Sequence, residues 1–140
     1  MATRSRIGIE KEDGTIRSIY CHWDGYPAYN GRILLENYTN REKVEGLIAL
    51  GDISVLGKEL APGEGVEHSF DNRSPVVTVA YSRDRGDAFN QPRENFSLNG
   101  FINSYSEEFG YIFTKENKWK LIRGKNRITD LTPEIVEQDL

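Results

Sequence analysis

Apolar and polar residues alternate near the N-terminus in a pattern that predicts a β-hairpin. Residues 6–10 alternate in this way, and residues 15–22 form a second β-like run rich in Ile and Tyr. Asp13-Gly14 lies between the two runs, and this dipeptide is typical of a hairpin turn. Cys21 and His22 then point to opposite faces of the sheet, which argues against a catalytic pair made of these two neighbours.

Spacings of three and four residues between apolar side chains predict the helices. Capping residues, and a proline in the first turn of the last helix, predict helix starts near Asn30, Asn40, Ser97 and Thr132. The helix after Ser97 is predicted to extend to Gly110, because its apolar residues keep this spacing as far as Phe109.

Two further segments determine the predicted form of the sheet. Residues 76–81 are a continuous run rich in β-branched residues, which predicts a strand buried on both faces and central to the sheet. Residues 111–114 and 118–122 predict a second hairpin. Residues 52–72 contain several Gly and Pro, and they predict a loop with at most one short strand.

The predicted order of elements is therefore ββ-αα-(β)-β-α-ββ-α. This order predicts an α+β fold with a mostly antiparallel sheet, N-terminal and C-terminal hairpins, and helices packed on one face. A length of 140 residues suits one domain, so residues 1–140 are predicted to form a single domain.

Composition restricts the classes of partner. The net charge of −4 argues against general binding of nucleic acids, which depends on lysine and arginine. One cysteine excludes an intrachain disulfide and indicates a reducing compartment. No segment has the roughly 20 apolar residues that a membrane-spanning helix needs, and the N-terminus does not resemble a secretory signal. The sequence predicts a soluble, cytoplasmic protein with no membrane partner.

The residues that bind metals have no spacing typical of zinc, so no metal site and no cofactor are predicted. His68 with Asp71 and Asn72 could hold a metal or supply a general base, but no third ligand is evident and an ordinary loop role is favoured. Cys21 lies within a predicted strand, where a lone cysteine is typically a small buried apolar residue.

The densest group of chemically capable side chains follows the second strand. His22, Trp23, Asp24 and Tyr26 lie within five residues, where Gly25 and Pro27 predict a turn. The aromatic rings offer flat faces for a base or sugar, and the imidazole and carboxylate offer polar contacts. The alternative is a structured turn in which the same side chains only close the edge of the core.

A second candidate group follows the apolar run that ends at residue 81. Tyr81 is followed by Arg83, Asp84 and Arg85, and an arginine pair can grip a phosphate or carboxylate. Asp84 would orient the arginines or contact a ribose hydroxyl. The alternative is a solvated loop whose charges pair with one another.

Asn95 is a further candidate for the lining of a pocket, with an ordinary packing role as the alternative. Whether the His22 and Arg83 groups meet depends on the sheet. Adjacent parallel strands would bring the two groups to one edge, whereas antiparallel strands would separate them.

Several of these residues resemble a family of small proteins common in tailed phages and prophages. The resemblance is carried by a TRS-x-IG motif at residues 3–8, by YCHWDGYP at residues 20–27 and by Gly31-x-x-Leu34-Leu35-x-x-Tyr38. It covers about residues 1–57, and residues 79–86 add a weaker second block.

This resemblance implies a phage accessory protein, a class from which anti-defence factors are drawn. Together with the aromatic and arginine groups, it leads to the hypothesis that the protein sequesters a nucleotide-type immune signal of the host. A closed, preorganised pocket of this kind often forms between subunits, so a homo-oligomer is predicted. No catalytic residue is assigned, because a credible triad is missing.

Two alternatives remain open. In the first, the chain is an inhibitor of the anti-CRISPR or nuclease-inhibitor kind, which binds a host defence protein through the loop at residues 22–27. In the second, it is a nucleotide-processing enzyme with His22 or His68 as general base and Asp24 as the orienting partner.

Overall fold

The hairpins at the two ends of the chain lie side by side in one mixed sheet of eight strands in the computed structural model, which describes residues 2–138. The strands are β1 (Ser5–Glu10), β2 (Ile16–Cys21), β3 (Ile53–Val55), β4 (Val79–Ala80), β5 (Arg93–Asn95), β6 (Phe109–Phe113), β7 (Trp119–Arg123) and β8 (Arg127–Asp130). The helices are α1 (Arg32–Asn37), α2 (Arg41–Ala49), α3 (Tyr81–Arg85), α4 (Leu98–Ser104) and α5 (Pro133–Gln138). A single π-helical turn, Pro27–Gly31, leads directly into α1.

The strand order is β4-β3-β2-β1-β6-β7-β8, and β5 also pairs with β2. The pairs β1–β6 and β2–β3 are parallel, and the other pairs are antiparallel. The predicted α+β class, with a mostly antiparallel sheet and a hairpin at each end, is confirmed. None of the helices within residues 2–138 is long and apolar enough to cross a bilayer.

Side chains on the two faces of the sheet pack into two separate hydrophobic cores. Ile19, Tyr111 and Leu121 belong to the larger core, which α1, α2 and α5 cover as the predicted helical layer. Ile16 and Ile112, on the opposite face, pack with residues of α4 in a smaller core. The period of two along each strand thus gives both faces a hydrophobic partner.

The prediction that residues 76–81 form a central strand is wrong. Only Val79–Ala80 is a strand, and it lies at one end of the strand order. A carboxylate oxygen of Asp84 accepts the backbone N–H of Ala80 at 2.8 Å, and the chain turns at Tyr81 into the short helix α3. Gly86 ends that helix with a φ of 83°, the left-handed conformation that glycine adopts readily.

One helix boundary and one additional strand also differ from the prediction. Helix α4 begins after the predicted cap Ser97 but ends at Ser104, because Tyr105 has extended backbone angles. The ring of Tyr105 still stacks on Phe101 at 5.3 Å, so the apolar spacing continued beyond the helix. Strand β8 has four exposed residues, and it therefore carries no hydrophobic pattern that would have predicted it.

The loop after β3 packs closely against the segment before β4 at Gly57. A Cβ atom at this position would lie 2.6 Å from backbone atoms of residues 76–78. We expect Gly57→Ala to lower the free energy of unfolding by about 1–3 kcal/mol, measured by urea denaturation. Gly63→Ala is the matched control, because its Cβ would meet only the Val66 side chain at 3.6 Å. Equal unfolding midpoints for the two variants would contradict the packing.

Candidate ligand-binding site

The outer edge of β2 is divided between two short strands. Residues Ile16, Arg17 and Ser18 pair with β5, whereas only Cys21 pairs with β3. Between these pairings, the backbone N–H of Tyr20 donates to a carboxylate oxygen of Asp52 at 3.0 Å. A side chain, rather than a neighbouring strand, is therefore the hydrogen-bond partner of this amide, and the edge of β2 has no paired strand at this point.

A pocket of about 330 Å³ occupies this opening. We call it the split-edge pocket, and it is lined by Tyr20, Leu50, Asp52, Tyr81, Ser82, Arg85, Asp87, Ala88 and Asn90. Its volume is near the lower end of the range of roughly 300–1,000 Å³ that small-molecule sites occupy.

The predicted groups approach each other at Tyr20. The strands that precede the two groups, β2 and β4, run antiparallel with β3 between them, which would separate the groups if the strands were long. Strands β3 and β4 are short, however, and Ala80 is level with Ile53, which in turn is level with Cys21. The N–H of Tyr81 donates to the Asp52 carbonyl at 3.3 Å, and Tyr81 therefore comes to line the same pocket as Tyr20.

Tyr81 and Arg85, which line the split-edge pocket, belong to a cluster of aromatic rings and guanidinium groups that continues behind it. The Tyr81 and Phe70 rings are stacked with centroids 6.0 Å apart. The Arg85 guanidinium lies 4.7 Å from the Tyr81 centroid and 4.8 Å from the Phe70 centroid. Arg73 is 5.2 Å from the Phe70 centroid. Because each ring contacts a cation or another ring, Tyr81 is held before any ligand binds.

The pocket contains one cation and two carboxylates. Arg85 donates two hydrogen bonds to Asp87, at 2.8 and 2.6 Å. This pairing raises the pKa of Arg85 and lowers the pKa of Asp87. Asp52 accepts the Tyr20 amide and supplies the second negative charge. Such a lining favours hydrogen-bond donors on a ligand, for example hydroxyl or amino groups, over a cluster of phosphates.

The His22 group lies beside this pocket, and its four residues are not part of the lining. The Tyr20 hydroxyl and His22 Nδ1 are 2.7 Å apart, and Tyr20 thus connects the group to the pocket. Trp23 meets the His22 ring edge-on at 4.8 Å and is 41% exposed. Tyr20, and not Asp24, is therefore the partner of His22 Nδ1.

The turn after Trp23 is fixed by backbone contacts. Asp24 has a φ of 58°, an uncommon left-handed conformation for a residue other than glycine. Its carbonyl accepts the N–H of Asn30 at 3.1 Å, and the Gly25 N–H donates to the Thr3 carbonyl at 2.8 Å. Tyr26 meets Tyr29 edge-on at 6.3 Å, and Tyr29 is 41% exposed. The turn therefore presents aromatic side chains at the surface from a rigid backbone.

Arg83 and Asp84 lie outside the pocket and hold neighbouring segments together. Arg83 donates to the carbonyls of Leu60 and Thr78 and to both carboxylate oxygens of Asp84. The Asp84 side chain is only 4% exposed, and it also contacts His68 Nε2 at 3.2 Å. The arginine pair proposed from the sequence is thus divided, since Arg85 faces the pocket and Arg83 binds the protein.

We call Arg83, Asp84 and His68 the buried latch, after the buried side chains of Asp84 and His68; the Arg83 side chain is 30% exposed. His68 Nδ1 accepts the Ser74 N–H at 3.0 Å, so Nε2 carries the proton and donates to Asp84. The Phe70 N–H donates to the Asp84 carbonyl at 3.0 Å. The latch therefore positions the loop that brings Phe70 against Tyr81.

Asn95 lies away from the split-edge pocket. It lines a separate cleft of about 140 Å³ with Thr15, Glu94 and Phe96. Its side-chain amide donates to Ser104 Oγ at 3.1 Å and to the Gly100 carbonyl at 3.5 Å, so it holds β5 against α4.

Several residues at the site were missed by the sequence analysis. Asp52 and Phe70 fall in the segment that showed no clear element, and their roles depend on contacts with distant segments. Asp87 and Asn90 follow a short helix that was not predicted. Among these missed residues, only Tyr20 had a signal in the sequence, because it begins the motif at residues 20–27.

Comparisons of the chain with protein family models, with curated proteins and with solved structures found no match. Across residues 2–138, no group of three or more His, Cys, Asp and Glu side chains could hold a metal ion.

The buried latch makes stability depend on Asp84. Burial acts to raise the pKa of this carboxyl, but the hydrogen bonds from Arg83, the Ala80 amide and His68 outweigh it and lower the pKa below its usual value of 3.8. The ionised form thus stabilises the fold above that value, and this stabilisation is lost as the pH falls through the lowered pKa.

We expect Asp84→Asn to lower the free energy of unfolding at pH 7 by about 1–3 kcal/mol, since the hydrogen bonds from Arg83, His68 and the Ala80 amide lose their charged acceptor. The deficit should shrink when denaturation is measured below about pH 4. Asp87→Asn is the matched control, because Asp87 and its partner Arg85 are exposed at the surface by 37% and 48% of their side chains. A deficit that stays constant from pH 7 to pH 3 would contradict the account.

Cys21 provides a chemical test of the packing beneath the site. It is fully buried, and burial raises the pKa of its thiol to about 11. At pH 8 only about one thiol in a thousand would be ionised. We expect dithionitrobenzoate to label the folded protein at least a hundredfold more slowly than the protein in guanidinium chloride. Rapid labelling in native buffer would show that the β2–β3 junction is open.

Proposed function

We propose that this protein is a binding protein that sequesters a nucleotide-type ligand in the split-edge pocket. The observation that carries the proposal is the preorganised ring of Tyr81, which lines a pocket of about 330 Å³ under the Arg85 guanidinium. Aromatic rings bind bases by stacking, and each stacked base contributes roughly 1–3 kcal/mol.

The charges of the pocket refine the proposal. Asp52 and Asp87 suit the hydroxyl groups of a ribose or the amino groups of a base. Arg85 is the cation nearest to Tyr81, and it can meet one phosphate by exchanging its partner Asp87. The ligand that fits best is therefore a nucleotide with few phosphates. The resemblance to phage accessory proteins supports an immune signal of the bacterial host as that ligand, and a homo-oligomer remains part of the proposal.

We expect isothermal titration calorimetry with mononucleotides and cyclic mononucleotides to detect binding to the wild type. Tyr81→Leu should weaken that binding by about fivefold to a hundredfold, in line with the loss of one stacked base. Phe96→Leu is the control, because it removes a ring that is 94% exposed and outside the pocket.

A second variant separates loss of the pocket from loss of the fold. Ala88 is exposed and lines the pocket, so Ala88→Trp should fill the space and abolish binding while thermal unfolding stays unchanged. Ala61→Trp adds the same side chain at an exposed position away from the pocket. Nucleotide binding that survives Ala88→Trp would contradict the proposed site.

The second candidate function is inhibition of a host defence protein through a surface. The exposed aromatic rings of Trp23 and Tyr29, presented by the rigid turn, favour it, since aromatic residues often dominate the energy of protein interfaces. In that case Trp23→Ala would abolish a complex with a host protein in affinity purification, and it would leave nucleotide titrations unchanged.

A further inference from the structure

A second pocket lies on the other side of β2, under α2 and next to the turn of the N-terminal hairpin. Its volume is about 560 Å³. We call it the hairpin groove, and its walls include Ile9 and Ile48, which are 4% and 2% exposed, together with Ala49. The groove shares no lining residue with the split-edge pocket.

Positive charge collects around this groove in a protein whose net charge is −4. Lys11, Arg17 and Arg41 line it, against the single carboxylate of Glu45. Glu94 lies opposite Arg17 on β5, and its carboxylate is 3.4 Å from Lys11 Nζ. The three cations thus outnumber the two carboxylates when Glu94 is included.

The cations differ in what they already bind. Arg41 is fixed by the Glu10 and Thr114 carbonyls and by the Asn117 side chain, and it lies 5.5 Å from the Phe113 centroid. Lys11 is paired with Glu94. Arg17 is a half-buried residue, and its guanidinium makes no hydrogen bond or ion pair within residues 2–138. A guanidinium that lines the same groove as apolar side chains, with its donors unused, matches an anion with an apolar body.

We propose that the hairpin groove binds a small amphipathic anion, with Arg17 contacting the carboxylate or phosphate head group and the apolar body lying against Ile9, Ile48 and Ala49. Because the groove and the split-edge pocket have different linings, this inference is independent of the proposed sequestration of a nucleotide.

Calorimetric titrations with octanoate, octyl phosphate and octyltrimethylammonium test the proposal. We expect saturable binding of at least one anion at one site per chain, and none of the cation. Stronger binding of octyl phosphate would identify phosphate as the head group, and stronger binding of octanoate would identify carboxylate. Saturable binding of the cation with a similar affinity would overturn the proposal.

Two variants locate the site. Arg17→Gln should weaken anion binding at least tenfold, whereas Arg127→Gln, at an exposed position on β8, should leave it unchanged. Ala49→Phe should fill the groove from its exposed rim and abolish binding while thermal unfolding stays the same. Nucleotide titrations should be unaffected by all three variants. Absence of anion binding to the wild type, or undiminished binding to both Arg17→Gln and Ala49→Phe, would overturn the proposal.

Discussion

The hydrogen bond from the Tyr20 amide to the Asp52 carboxylate is the contact on which the split-edge pocket depends. A strand normally satisfies the donors along its edge by pairing with one neighbour. Here β5 and β3 each satisfy part of β2, and Asp52 satisfies the amide between them. A buried amide without a partner would cost roughly 1–3 kcal/mol, so the carboxylate makes the gap between the strands tolerable. The open space at the sheet edge is the consequence.

The pocket gains its rigidity from groups that do not line it. The buried latch of Arg83, Asp84 and His68 fixes the start of α3 and the loop that carries Phe70. Phe70 then supports Tyr81 and Arg85 from behind. Arg83 and Arg85 thus have different roles, because Arg83 binds backbone carbonyls of the protein and Arg85 lines the pocket. Preorganisation of this kind lowers the entropy that binding must overcome.

The sequence predicted those parts of the fold that a local pattern determines. The end hairpins follow from alternation and turn residues, and the α2 and α4 starts follow from their capping residues Asn40 and Ser97. The early end of β4 at Ala80 was not predictable in this way, because it depends on the Asp84 side chain, which accepts the Ala80 amide. At the site, Tyr81 and Arg85 were singled out and line the pocket, but Asp52 acts across 32 positions of sequence and has no local signal.

The most direct test of the central claim is native mass spectrometry of the protein purified from phage-infected bacteria, followed by release of any bound small molecule by heat. We expect a nucleotide at close to one per subunit in the wild type, and its absence from an Ala88→Trp variant purified in parallel. Wild-type protein without a bound nucleotide, or equal occupancy in both proteins, would contradict the claim.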